Sequence, residues 1–228
     1  MPLATENYKD FERGITELTR PINGQLPRPW MTRATRPEAC DVFLVGKNQR
    51  HGYPSESLSH KRHVDGLFNR SGETCRGIYD EMTSGRASPT RKNTDRLVDL
   101  LSSQGVTDVL ETNVICYSSP MSADLRQSKH SGGAARGEKL FRFLLGSIKP
   151  RVLIVHGAGA SKKLVDLLRV ELPPAPRCGD APSHIEVIGM HIFVIPSLAP
   201  PAWNRWSGWA EKHLKRVVEM TTTCLSNR

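Results

Sequence analysis

Asn48 stands where an apolar run stops. The segment Asp41-Val-Phe-Leu-Val-Gly-Lys-Asn-Gln-Arg-His-Gly-Tyr-Pro54 breaks at Gly46 and continues as a polar, basic loop. A buried parallel strand delivers side chains to a site at its carboxyl end in this way. A neutral amide is no base, but it can hold water against an electron-poor carbon, which suffices when the leaving group departs early. Lys47, Arg50 and His51 can hold an anion at the same place. A second amide, Asn113, has an equivalent position in Val109-Leu-Glu-Thr-Asn-Val-Ile-Cys-Tyr117. Its donor and acceptor match the Watson–Crick edge of an extrahelical pyrimidine. Two amides at the mouth of one sheet point to a site that reads and hydrolyses a nucleobase. Plainer roles compete: Asn48 as a turn cap, Asn113 as a strand polar group satisfied by backbone.

A third strand end, Ile195-Pro-Ser-Leu-Ala-Pro-Pro-Ala-Trp-Asn-Arg-Trp206, places Ser197 to bind phosphate. Leu198, Trp203, Arg205 and Trp206 are candidates to wedge into a base stack. The alternative sets the tryptophans over the core. Gly157-Ala-Gly-Ala-Ser161 follows an apolar run and precedes a helical one, but Lys162 stands where a dinucleotide fingerprint needs its third glycine. A backbone nest for phosphate, with Gly157, Ser161 and Lys162, fits better. His60 and His63 have no nearby ligand partners, and the five cysteines show no C-x-x-C spacing, so no metal is expected.

The net charge of +9 favours a polyanionic partner, nucleic acid above all, over a small neutral substrate. Surplus basic residues that only aid solubility are the blander account. The scattered cysteines fit a reducing compartment. Without an apolar stretch of membrane-spanning length or a signal-peptide pattern, a cytoplasmic monomer is expected.

Positioning these loops requires strands alternating with helices. Strands are predicted at 41–46, 107–116 and 152–155, with a hairpin-like pair at 185–188 and 191–195. Helices are predicted at 94–103, 137–148, 162–170 and 207–220, and a first one around Tyr8 to Leu18. The rest of residues 1–38 reads as an extended, surface-lying arm with Arg20, Arg28, Arg33 and Arg36, and 51–89 as functional loops. The expected fold is one α/β domain over 1–228: a three-layer α/β/α sandwich with a central, mainly parallel four-stranded sheet.

Together these segments resemble the uracil-DNA glycosylase superfamily from about residue 40 to 215. Gly46-Lys-Asn48-Gln is similar to the family's Gly-x-Asp/Asn-Pro after the first strand. Gly66-Leu-Phe68-Asn-Arg-Ser-Gly72 approximates, one residue short, the motif whose aromatic stacks on the base. Asn113 matches the amide that recognises the base. Gly157 to Lys163 resembles the loop after the third strand, and Ile195-Pro196-Ser197 the closing His/Asn-Pro-Ser motif. Gln49 replaces the usual Pro, and Ile195 the His or Asn that stabilises the departing base. Arg50 aligns with a position where some relatives hold a Tyr against the pyrimidine C5. Gln49, Arg50, His51 and Tyr53 would then form a wider, polar entrance for a base with a bulky polar C5 group.

The resemblance implies a monofunctional DNA glycosylase with Asn48 as the catalytic residue, Phe68 and Asn113 holding the base, and no cofactor. The implied substrate is a modified pyrimidine such as glucosylated hydroxymethylcytosine of phage DNA, in antiviral defence or base-excision repair. The alternatives are a uracil or mismatch-thymine glycosylase, a non-catalytic DNA-binding module, and an enzyme of free nucleosides or nucleotides.

Overall fold

The computed structural model describes residues 5–179 and 181–227. Residues 1–4, 180 and 228 of the expected single domain lie outside the described residues. In chain order the elements are α1 (Thr5–Leu18), β1 (Gln25–Leu26), β2 (Met31–Thr32), β3 (Val42–Gln49), β4 (Tyr53–Pro54), α2 (His60–Leu67), α3 (Cys75–Met82), α4 (Pro89–Ser103), β5 (Val109–Ser118), α5 (Gly133–Ile148), β6 (Val152–His156), α6 (Ala158–Leu168), β7 (Ser183–Val187), β8 (Met190–Ile195) and α7 (Ala202–Ser226).

The main sheet is mixed and six-stranded, in the order β2-β5-β3-β6-β8-β7. The expected parallel strands form its centre, β5-β3-β6-β8, and antiparallel β2 and β7 close its edges. Alternation along β3 splits the core in two. Phe43 and Val45 pack with α1, α2, α3, α5 and α6 on one face. Val42 and Leu44 pack with α4 and α7 on the other. Helices therefore cover both faces. Because β3 is flanked by strands that follow it in the chain, its connections diverge, and a crevice opens beyond the carboxyl ends of β3 and β6.

Two expectations need correction. The N-terminal arm is extended but stitched into the fold rather than lying on the surface: Leu26, Trp30 and Met31 are buried, and the Thr112 hydroxyl donates to Pro29 O at 2.6 Å. Its arginines are engaged. Arg20 pairs with Glu17, Arg33 with Asp99 and Arg36 with Glu38, while Arg28 packs on the rings of Tyr53 and Tyr79. The segment 51–89 holds α2 and α3, capped by the hydroxyls of Ser59 and Thr74. Helices this short show too few apolar repeats for periodicity to reveal them.

His63 of α2 is 1% exposed and places Nε2 3.0 Å from Pro27 O. Burial drives its pKa down to about 4. The unfolded chain, whose histidine titrates near ~6.5, therefore takes up the proton first. Stability is full above about pH 6.5 and falls as pH drops toward about 4, by roughly 3 kcal/mol at most. Urea midpoints across that window should show the decline, and His63→Gln should flatten it.

Candidate functional site

A cleft of about 710 Å³ opens at the carboxyl ends of the parallel strands. Its floor rises in rows that follow the strand pleat. At the mouth, Asn48 is tied to the loop after β5: its Nδ2 donates to Ser119 Oγ at 3.0 Å and to Gln49 O at 3.2 Å. Its Oδ1 accepts from Ser122 Oγ at 2.8 Å. A carbonyl oxygen has two lone pairs, so one remains to orient a water molecule.

One pleat deeper, Gly46 pairs with Asn113. A Cβ on Gly46 would sit 2.5 Å from Asn113 Oδ1 and 3.0 Å from His156 Nε2. Glycine thus leaves room for Asn113 and His156 to approach each other across β3. Burial first, and then the Arg91 charge, hold the His156 imidazole down to about pKa 4, so it is neutral near pH 7. Deeper again, Glu111 pairs in register with Leu44. Arg91, from the first turn of α4, forms an ion pair with Glu111 and reaches Asp95 at 2.9 Å.

Gln49, Arg50 and His51 line the cleft entrance with Lys47. Gln49 is buried and donates Nε2 to Arg28 O at 2.6 Å, whereas Arg50 and His51 are exposed. Burial, then Arg50, lowers the His51 pKa. The Lys47 side chain crosses the first turn of α6, where a Cβ on Gly159 would meet its Cδ at 2.8 Å. Gly157, with φ of 86°, turns the chain into that helix beside Ser197. Gly157 and Ser197 line the cleft. Ser161 and Lys162 lie further along α6 and do not; the Ser161 hydroxyl donates back to Gly157 O at 3.3 Å.

Four expected contacts fall elsewhere. Tyr53 is 2% exposed and Phe68 5%, both in the core below α1 and α2. Phe68 packs edge-on against Tyr8, Phe11 and Trp30, so it cannot stack on a base in the cleft. Phe68→Ala should cost about 3–5 kcal/mol of unfolding free energy by leaving a cavity, read as a lowered urea midpoint; unchanged stability with weakened base binding would restore the stacking role. Leu198 is fully buried and cannot wedge into DNA in this conformation. Trp203 is half-buried, its ring centroid 4.9 Å from that of Trp206. Arg205 is exposed on α7, as a protruding contact requires. Trp206 is 3% exposed and donates Nε1 to Ser197 O at 2.9 Å, the core role expected for at least one tryptophan.

His156, Arg91, Glu111, Ser119 and Ser122 were not singled out from sequence. The one signal was the polar interruption of apolar strands at Glu111 and His156. Away from the cleft, the ligand atoms of His184, His191 and Cys224 lie within 4.8 Å of one another, a donor set that suits zinc. His184 and His191 are near neighbours in sequence, but Cys224 is distant from both and joins them only through the fold. No helix among the described residues is long and apolar enough to cross a membrane. No protein-family model and no curated protein matches the sequence.

Proposed function

We propose that this chain is a monofunctional DNA glycosylase on a uracil-DNA glycosylase-like, three-layer fold, acting on a flipped modified pyrimidine. The observation that carries this reading is the convergence of Asn48 at the cleft mouth with Asn113 and His156 facing one another above Gly46. Water held by Asn48 Oδ1 adds to the sugar C1′ as the bond to the base N1 breaks. The bonding pair leaves with the base, and the proton released by the water ends on it. Asn113 reads the base edge. His156 supports the charge gathering on the base O2 with a neutral N–H donor. That assignment meets the difficulty of Ile195, which is buried where relatives hold a His or Asn. His156 is the register partner of Ile195 on the adjacent strand, so the donor moves across one strand. His156→Ala should reduce excision about 10²-fold, measured in single turnover, with DNA affinity little changed.

Phosphates are met by Lys47, Arg50 and the backbone of Gly157 to Ala160 at the start of α6. Such contacts weaken steeply as salt rises. The cleft volume lies within the ~300–1,000 Å³ of sites for drug-sized ligands, more than a bare pyrimidine ring fills. A glucosylated hydroxymethylcytosine fits that volume and the polar rim of Arg50 and His51, in line with a role against phage DNA.

The test is incubation with duplexes containing uracil, mismatched thymine or glucosylated hydroxymethylcytosine, followed by alkali. Strand breaks confined to the last support the reading; breaks at uracil or thymine replace its substrate. A non-catalytic DNA-binding module is favoured by one observation, the engagement of both ends of the Asn48 amide by the protein itself. DNA bound without breakage of any substrate would select it.

A further inference from the structure

Alternation along the edge hairpin sorts its side chains onto two faces. Ile185, Val187, Ile192 and Val194 join the core on the side of α5 and α6. His184 and Glu186 of β7 take the opposite face with His191 and Phe193 of β8, since His184 is in register with Phe193 and Glu186 with His191. Phe193 packs there with α7. The last turn of α7 brings Cys224 over this face, where Arg151 donates to the carbonyls of Cys224 and Leu225, each at 2.7 Å. The face of a sheet under a helix ordinarily presents apolar side chains. This one presents two imidazoles and a thiol, all half-buried.

His184 Nε2 and His191 Nδ1 face each other at 3.2 Å, and the Cys224 sulfur lies within 4.8 Å of both. Stacking on Phe193, with centroids 4.5 Å apart, fixes the His184 ring. Zinc held by nitrogen at about 2.0–2.1 Å and by sulfur at about 2.3 Å sets tetrahedral edges of roughly 3.4 Å between nitrogens and roughly 3.6 Å from nitrogen to sulfur. The nitrogen edge is already close to that length. The sulfur has roughly 1 Å at most to close, which a small turn of the Cys224 side chain supplies. In the neutral histidine pair one ring donates to the other. Moving that proton to the outer nitrogen of its ring turns both facing lone pairs over to a metal.

We infer that His184, His191 and Cys224 form a structural zinc site that clamps the β7–β8 hairpin to the end of α7. The Glu186 carboxylate lies 4.0 Å from His191 Nδ1 and is 60% exposed, so it can swing into the fourth position. Imidazole and thiolate donors suit zinc, whereas magnesium and calcium take oxygen. β7 closes the sheet through β8, and its side chains are half-buried at best. A metal linking it to α7 holds an edge that apolar packing holds weakly. None of the four residues lines the cleft, so the site stands apart from the glycosylase reading.

The test loads the full chain with zinc or cobalt(II) in the presence of a non-chelating phosphine reductant, then dialyses it against metal-free buffer. One zinc per chain should remain. Cobalt should show the visible bands of a four-coordinate ion with a thiolate charge-transfer band. Changing groups that merely orient zinc ligands costs about 10–100-fold in affinity, so Cys224→Ser should cost at least about 100-fold and abolish the charge-transfer band. His191→Gln should weaken zinc to a similar degree. Cys178→Ser removes a thiol outside the cluster and should leave zinc binding unchanged. Zinc should raise the urea midpoint of the native chain and slow hydrogen exchange over 183–195 and 222–226, with neither effect in Cys224→Ser. Circular dichroism shows whether Cys224→Ser folds, and His191→Gln carries the comparison if it does not. Retention well below one zinc per chain, equal retention by the native chain and both ligand variants, or cobalt bound without the thiolate band overturns the inference. Zinc retained with no change in exchange of the hairpin overturns the clamp.

Discussion

Asn48→Ala is expected to cut base excision by at least 10²- to 10³-fold, the scale for losing one preorganised electrostatic contact at a reacting centre, while DNA affinity stays close to native. Single-turnover cleavage and equilibrium binding, each measured on the same duplex, separate the two effects. The Asn48 amide also joins β3 to Ser119 and Ser122. Alanine removes that tie as well, so two companion variants are needed. Ser122→Ala removes one loop contact and leaves the water-orienting oxygen, and should cost less than about tenfold. Asn48→Asp retains an oxygen for Ser122 and for water, with greater basicity, and should keep activity well above the alanine variant. If Ser122→Ala is as damaging as Asn48→Ala, the amide acts by holding the loop and the catalytic assignment is wrong.

Gly46→Ala should be nearly as harmful to function and much milder for folding. The added Cβ would meet Asn113 Oδ1 at 2.5 Å and His156 Nε2 at 3.0 Å, the tips of two side chains rather than backbone. Tips can swing aside, so overpacking should cost about 1 kcal/mol, the low end of its usual range. Swinging aside separates the groups assigned to the base edge and to the departing oxygen, and excision should fall about 10²-fold, since small misplacements are expensive at a reacting centre. Gly146→Ala on α5 is the control, since an added Cβ there meets nothing within 4 Å and lies away from the cleft. Equal losses of excision in the two variants would mean that the contacts above Gly46 have no bearing on the site. Thermal denaturation alongside the kinetics shows whether the loss at Gly46 is one of geometry or of fold.

The parallel strands and the larger helices were legible because their signals are local. Val42 to Val45 is too short for a helix and stops at Gly46; Leu97, Val98 and Leu101 repeat at helical spacing, although the helix begins at Pro89 rather than at the expected Thr94. Residues at the carboxyl ends of parallel strands share one edge of the sheet, and this brings Lys47, Asn48, Gly157 and Ser197 onto the cleft, with Asn113 reaching it from within β5. Aromatic and apolar residues in irregular segments were harder. Phe68 and Leu198 suit a base-contacting loop and a core equally well, and only the packing of α1, α4 and α7 around them makes them core.

The sequence by itself determined the strand–helix alternation, the basic character and the two amides at the sheet mouth, since each depends on neighbours a few residues away. Tertiary structure alone decided that Tyr53 and Phe68 leave the site and that His156 enters it beside Ile195. It likewise turned the arginine-rich arm into an edge of the fold and brought Arg91 of α4 onto Glu111 of β5. The reason is strand register. Which side chains meet across neighbouring strands is set by the sum of long-range contacts, and no local stretch of the chain encodes it.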